Sequence, residues 1–159
     1  MKKILSILAF VPLLACQPKE EVMPKQELLD LLQSPLDKIH VVNFWSITCK
    51  PCIIEMPQFT ELADTNPEVS ITLIGLDGIE ETEKHMKFIE KHHITQYSRL
   101  LDAPIYHEWM EEVDANYWGT MPATLIYNNF RNQRIFLNRE LEEGELLHLV
   151  DSLTLHIRH

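Results

Sequence analysis

The apolar positions of this chain switch between two periods, and the switches mark where elements begin and end. Residues 39–45 (Ile-His-Val-Val-Asn-Phe-Trp) form a short β-branched and aromatic run, which predicts a buried strand. From Lys50 the spacing becomes helical: Ile53, Met56, Phe59 and Leu62 return every three residues until Asn66-Pro67 ends the pattern. Residues 70–76 predict a second core strand, followed by Asp77-Gly78 and an acidic helix over about 79–93. A short strand near 98–101 and a helix over about 104–115 come next. Residues 123–128 and 133–138 then predict two strands joined by a four-residue polar turn, a hairpin at the sheet edge. Leu146, Leu149, Val150 and Leu153 stand at i, i+3, i+4 and i+7, the signature of a closing amphipathic helix. This order gives an α/β sandwich. The 46 positions from Leu76 to Pro122 exceed the dozen or so residues that one crossover helix needs, so that stretch holds further elements.

The first residues follow a different logic. Met1-Lys2-Lys3 supplies positive charge, residues 4–14 supply an apolar run broken by Pro12, and Leu13-Leu14-Ala15 leads into Cys16. That is the layout of an export signal, and the run is about half of the roughly 20 apolar residues a spanning helix needs. Leu-Leu-Ala-Cys resembles the bacterial lipobox, which implies cleavage before Cys16 and a lipid anchor on it. Gln17, rather than Asp, follows, and in the Gram-negative form of that pattern this favours the outer membrane. The expected organisation is therefore a signal over 1–15, a polar tether over 16–24 and one domain over 25–159, on the periplasmic or cell-surface side. Of the 14 basic residues, Lys2 and Lys3 lie in the signal, so the remaining 144 residues carry 12 basic against 24 acidic groups, a formal charge of −12. Nucleic acid and anionic lipid surfaces are poor partners for such a field. The clusters Glu80-Glu81, Glu111-Glu112 and 140–145 read as solvated helix faces.

With Cys16 lipidated, Cys49 and Cys52 remain, three positions apart. A bridge that short closes almost no chain loop and stabilises little, so its purpose is reactivity. A zinc site would need more ligands, and His85, His92, His93 and His107 lack a matching spacing. Haem attachment would need a histidine where Ile53 stands. Cys49 falls at the start of the helix, where unpaired backbone N–H groups and the helix dipole favour a thiolate. Lys50 adds nearby positive charge. Cys52, almost one turn on, faces the apolar side and is the resolving thiol. Pro51 suits the first helical turn, where its missing N–H is not needed, and Pro57 deeper in the helix removes a hydrogen bond to Ile53.

The segment Val42-Asn43-Phe44-Trp45-x-x-x-Cys49-x-Pro51-Cys52-x-x-Glu55-x-Pro57 resembles the active-site segment of the thioredoxin superfamily, and more narrowly its extracytoplasmic TlpA/ResA-like branch. Gly119-Thr120-Met121-Pro122-Ala123-Thr124-Leu125-Ile126 resembles that family's second landmark, a cis-proline loop entering the third core strand. The resemblance spans about residues 36–157. It implies a thioredoxin fold, a central mixed sheet flanked by helices, with a central insertion between the second core strand and the cis-proline loop. It also implies disulfide exchange with protein thiols: Cys49 attacks, Cys52 releases the mixed disulfide, and no cofactor beyond the Cys49–Cys52 couple is needed. Electrons would come from a membrane-embedded thiol donor. Pro122 would be cis and would set the backbone of Met121 beside Cys49, with Trp45 packed alongside the pair.

Thioredoxins usually place a buried Asp where Asn43 stands. Glu55 matches the glutamate of the TlpA/ResA-like motif and stands in for it as a proton acceptor for Cys52; the alternative is a partly exposed helix acid without a catalytic part. Thr48 replaces the second tryptophan common before the nucleophile. Two residues rather than the common one separate Gly119 from Pro122, and 128–134 lacks the Asp and Gly frequent in that turn. The preferred function is a reductant, in apocytochrome maturation or thiol repair. An oxidase or isomerase, a copper-binding module using both thiols and a histidine such as His107, and a docking module that keeps only the fold remain as alternatives.

Overall fold

The computed structural model describes residues 22–103 and 107–155, without the side chains at 107, 108 and 155. The expected export signal and the expected lipidation site Cys16 lie outside the described residues.

A six-stranded mixed sheet forms the centre, built from β1 (Val22–Pro24), β2 (His40–Trp45), β3 (Ser70–Gly75), β4 (Ser98–Asp102), β5 (Ala123–Asn128) and β6 (Gln133–Leu137). The spatial order is β1-β4-β3-β2-β5-β6. β1, β4, β3 and β2 run parallel, whereas β5 and β6 pair antiparallel beyond β2. β2 is central and every one of its residues is buried, which is why its sequence reads as a continuous apolar run rather than an alternation. Its side chains still divide by face: Val41 and Trp45 join one core cluster, Val42 and Phe44 the other.

Helices cover both faces. α2 (Lys50–Thr65), α3 (Thr82–Lys91) and α5 (Glu145–Leu155) supply Cys52, Met56, Phe59, Ile89, Leu146 and Val150 to the first cluster. α1 (Lys25–Leu32) and α4 (His107–Val113) supply Leu28, Leu32, Trp109 and Val113 to the second. α2 buries positions 52, 56, 59 and 62 against the sheet, a spacing that keeps one stripe inward. Its helix continues through Pro57.

Three differences from the sequence expectations stand out. The tether expected to reach Pro24 ends sooner, because Val22–Pro24 pairs in parallel with β4 and Met23 is 3% exposed. Three residues are too few to show a period; pairing with β4 and burial of Met23 place them in the sheet. α1 also went unpredicted; its short Leu28–Leu32 stripe is buried under β5, where the Tyr127 hydroxyl donates to the Leu31 carbonyl at 2.6 Å. The acidic helix expected over 79–93 is divided into a 3₁₀ turn (Ile79–Glu81) and α3. Between β3 and β5 the chain adds that turn, α3, β4 and α4, with β4 entering the sheet.

Candidate functional site

The site is assembled at the carboxyl end of β2. The chain leaves Trp45, turns through residues 46–48, and enters α2 with Cys49 as its N-cap (φ −83°, ψ 95°). The turn is closed by the Cys49 amide donating to the Ser46 carbonyl at 3.1 Å, and the helix begins with the Ile53 amide on the Cys49 carbonyl at 3.2 Å. Cys49 and Cys52 are joined as a disulfide. Their environments differ: Cys49 is partly exposed, whereas Cys52 is fully buried among Trp45, Met56 and Phe59. The Cys52 amide donates to Cys49 Sγ at 3.4 Å, so a backbone N–H already points at the sulfur that would carry negative charge. Lys50 is exposed in the first helical turn and Pro51 follows it there.

The second strand pair carries the facing loop. β5 pairs with β2 so that Ala123 lies opposite Phe44, and the next two residues back along the chain, Pro122 and Met121, therefore run past Trp45 towards the turn before Cys49. The Met121–Pro122 peptide bond is cis. Pro122 is buried and Met121 is 37% exposed, while Trp118 just upstream is 75% exposed. Gly119 has φ +75°, a left-handed backbone conformation that favours glycine.

Trp45 lies wholly in the core, between the rings of His85 (centroids 5.0 Å apart) and Phe88 (5.5 Å). It supports the pair from beneath and offers no surface to a partner.

Glu55 is 2% exposed, which excludes the reading of a partly exposed surface acid. Its Oε1 accepts from Asn43 Nδ2 at 2.9 Å and its Oε2 from the Leu141 amide at 2.8 Å. Asn43 is itself held by Thr124 Oγ1 at 3.0 Å. Burial pushes the Glu55 carboxyl up to about 7, the Leu141 and Asn43 hydrogen bonds oppose the rise, and the charges of Glu140 and Glu145 add to it. A cleft of about 720 Å³, lined by Ile54, Gln58, Glu61 and residues 140–143, opens over this carboxyl. The sequence marked Asn43 as a departure and gave no hint of Leu141, which arrives from 86 positions away.

A further cluster was not visible in the sequence. Asp77, just beyond β3, accepts from Ser46 Oγ at 2.6 Å and from the Ile47 amide, and meets His85 Nδ1 at 2.9 Å. The sequence shows the Asp77-Gly78 turn, but the partners of Asp77 lie 30 and 31 positions upstream and eight downstream. As for metals, the described residues hold no group of three or more His, Cys, Asp or Glu placed to bind one, and the His107 side chain lies outside them.

Comparison with known proteins adds three findings. A model of the AhpC/TSA family matches residues 7–132. Over 61 residues the chain is 36% identical to the thiol-disulfide oxidoreductase ResA of Bacillus cereus, a match covering 38% of this chain and only 35% of that relative. Among solved structures, the thioredoxin-related protein from Neisseria meningitidis serogroup B aligns with TM-score 0.63 at 22% identity, covering 76% of this chain and 87% of its own. A DsbF homologue from Corynebacterium diphtheriae aligns with TM-score 0.62 at 21% identity, covering 76% and 75% of the two chains. A secreted Mycobacterium tuberculosis disulfide oxidoreductase homologous to E. coli DsbE aligns with TM-score 0.60 at 22% identity, covering 76% and 85%. The mixed sheet, its helical layers and these neighbours together make this a thioredoxin fold.

Proposed function

Because the chain belongs to the AhpC/TSA family, we propose that it is an extracytoplasmic thiol-disulfide oxidoreductase that reduces partner disulfides through Cys49 and Cys52. The observation that carries this reading is the asymmetry of the pair: one sulfur is reachable at a helix N-terminus and the other is sealed behind it. The ResA relative supports the same chemistry over the 61 residues matched.

In the reductive direction the Cys49 thiolate attacks one sulfur of a partner disulfide. The partner's S–S bond breaks, the attacked sulfur is held in a mixed disulfide with Cys49, and the other partner sulfur leaves as thiolate. Cys52, as thiolate, then attacks Cys49 Sγ, which breaks the mixed disulfide and releases the second partner thiolate. Two electrons have passed to the partner, and Cys49–Cys52 is oxidised. Glu55, buried three residues along the helix from Cys52 and titrating near neutrality, takes the Cys52 proton. The backbone of Met121, an exposed residue beside the cis peptide, receives the partner's extended segment. A dithiol donor in the membrane restores the reduced pair by the same two exchanges in reverse. A lipid on Cys16 keeps the domain at a membrane, and oxidised apocytochromes or damaged surface proteins are the substrates.

Trapping tests this assignment. In Cys52→Ala the second exchange is blocked, so the full chain incubated with an oxidised protein substrate accumulates mixed disulfides through Cys49 that dithiothreitol dissolves. Cys49→Ser accumulates none. Adducts in Cys49→Ser and none in Cys52→Ala would reverse the roles of the two cysteines.

A further inference from the structure

The turn that presents Cys49 is tied to a buried acid–histidine pair. Asp77 accepts from Ser46 Oγ at 2.6 Å through Oδ1, and the Ile47 amide reaches both of its oxygens at 3.2 Å. Ser46 Oγ in turn meets Thr48 Oγ1 at 3.0 Å and accepts from the Thr48 amide at 3.2 Å. The far side of Asp77 is held by His85 Nδ1 at 2.9 Å. His85 is 0% exposed and seated tightly: its ring lies against Trp45, and a Cβ on Gly75 would fall 2.1 Å from Cε1. Its Nε2 has no hydrogen-bond partner, so the ring is fixed by Asp77 and by packing.

We propose that Asp77 and His85 are positioning residues for the exchange: through Ser46 and the Ile47 amide they fix the turn before Cys49, and the charge left on Asp77 tunes the Cys49 thiolate. This rests on the reading of Cys49 and Cys52 as the exchanging couple. Burial works against the Asp77 carboxylate, but hydrogen bonds from His85, Ser46 and the Ile47 amide outweigh it and hold its pKa below the ordinary value. A carboxylate bonded to the Ile47 amide, two residues before the nucleophile, is therefore in place when the thiolate forms, and His85 is the group that offsets it. On the elements next to this unit, α2 carries Lys50 and Glu55, His92 is stacked on Phe88, and the Glu80 carboxyl lies beside Gly78.

The test is the pH dependence of iodoacetamide alkylation at Cys49 in the reduced full chain, followed by mass spectrometry of the Cys49 peptide so that Cys16 does not interfere. Asp77→Asn keeps an acceptor for the turn but removes the charge, and its alkylation midpoint falls by roughly 0.5 to 1 unit. His85→Leu leaves the carboxylate without its offset, and the midpoint rises by a similar amount. His85→Asn, which restores an N–H donor near the Nδ1 position, returns towards wild type. Loss of fold alone cannot move the midpoint in opposite directions. Unmoved midpoints, or shifts of the same sign in Asp77→Asn and His85→Leu, would overturn the proposal. Reduction of a protein disulfide by the wild type is measured alongside: its absence would sink the oxidoreductase reading, whereas its presence with unmoved midpoints would sink the Asp77–His85 role alone.

Discussion

At the scale of single residues, Glu55 makes a prediction whose sign is fixed by its surroundings. Its carboxyl rises from an ordinary value of 4.5 to about 7 in the folded protein. A raised folded pKa means that the folded state holds the proton more tightly than the unfolded chain does. The associated stability is therefore fully present below about pH 4.5 and is lost as pH rises through about 7. The span corresponds to about 3 kcal/mol at most. Glu55→Gln does not titrate, so its stability relative to wild type should increase steadily between about pH 4.5 and about pH 7 in denaturant unfolding, other groups cancelling in the difference. A difference that does not change with pH would show that the buried carboxyl is not neutral at the low end. The identity of this acid was legible in the sequence as part of a motif, but its burial was not. That depends on Leu141 and Asn43 converging on it from a distant loop and from β2. Asp77 and His85 were illegible for the same reason, since nothing in their spacing shows that they meet beneath the Cys49 turn.

Among the elements, most were readable, the short strand β4 included, whereas β1 and α1 were not. α2, β2 and the β5–β6 hairpin fall within a residue or so of their expected bounds, because each has a stripe or run long enough to show its period. β1 and α1 carry too few apolar positions to stand out, and pairing with β4 and packing beneath β5 are what define them. Arg99 on β4 fastens this region further, bonding Glu27 on α1 and the Val22 carbonyl. Met23→Ala should consequently lower the unfolding free energy by about 2 kcal/mol, as deletion of a buried methionine does at the lower end of its range. A tether residue at that position would leave the denaturant midpoint unchanged, and such a result would remove β1 from the folded domain.

For the molecule as a whole, the architecture explains why one end of the sheet is reactive. The parallel strand β2 delivers Cys49 to a helix N-terminus, while the antiparallel β5 brings the cis peptide to the same end from the neighbouring position. Cys49, the nucleophile of the proposed exchange, is therefore partly exposed just beyond a fully buried strand. Among the described residues no helix is long and apolar enough to cross a membrane. Whether this couple donates electrons, as proposed, is set by its equilibrium reduction potential. The full chain is equilibrated with dithiol buffers and the Cys49 and Cys52 peptides are assayed by thiol alkylation. A reductant requires a value near or below the roughly −270 mV of thioredoxin. A value near the roughly −120 mV of a strong oxidant would contradict the account and assign the protein to disulfide formation.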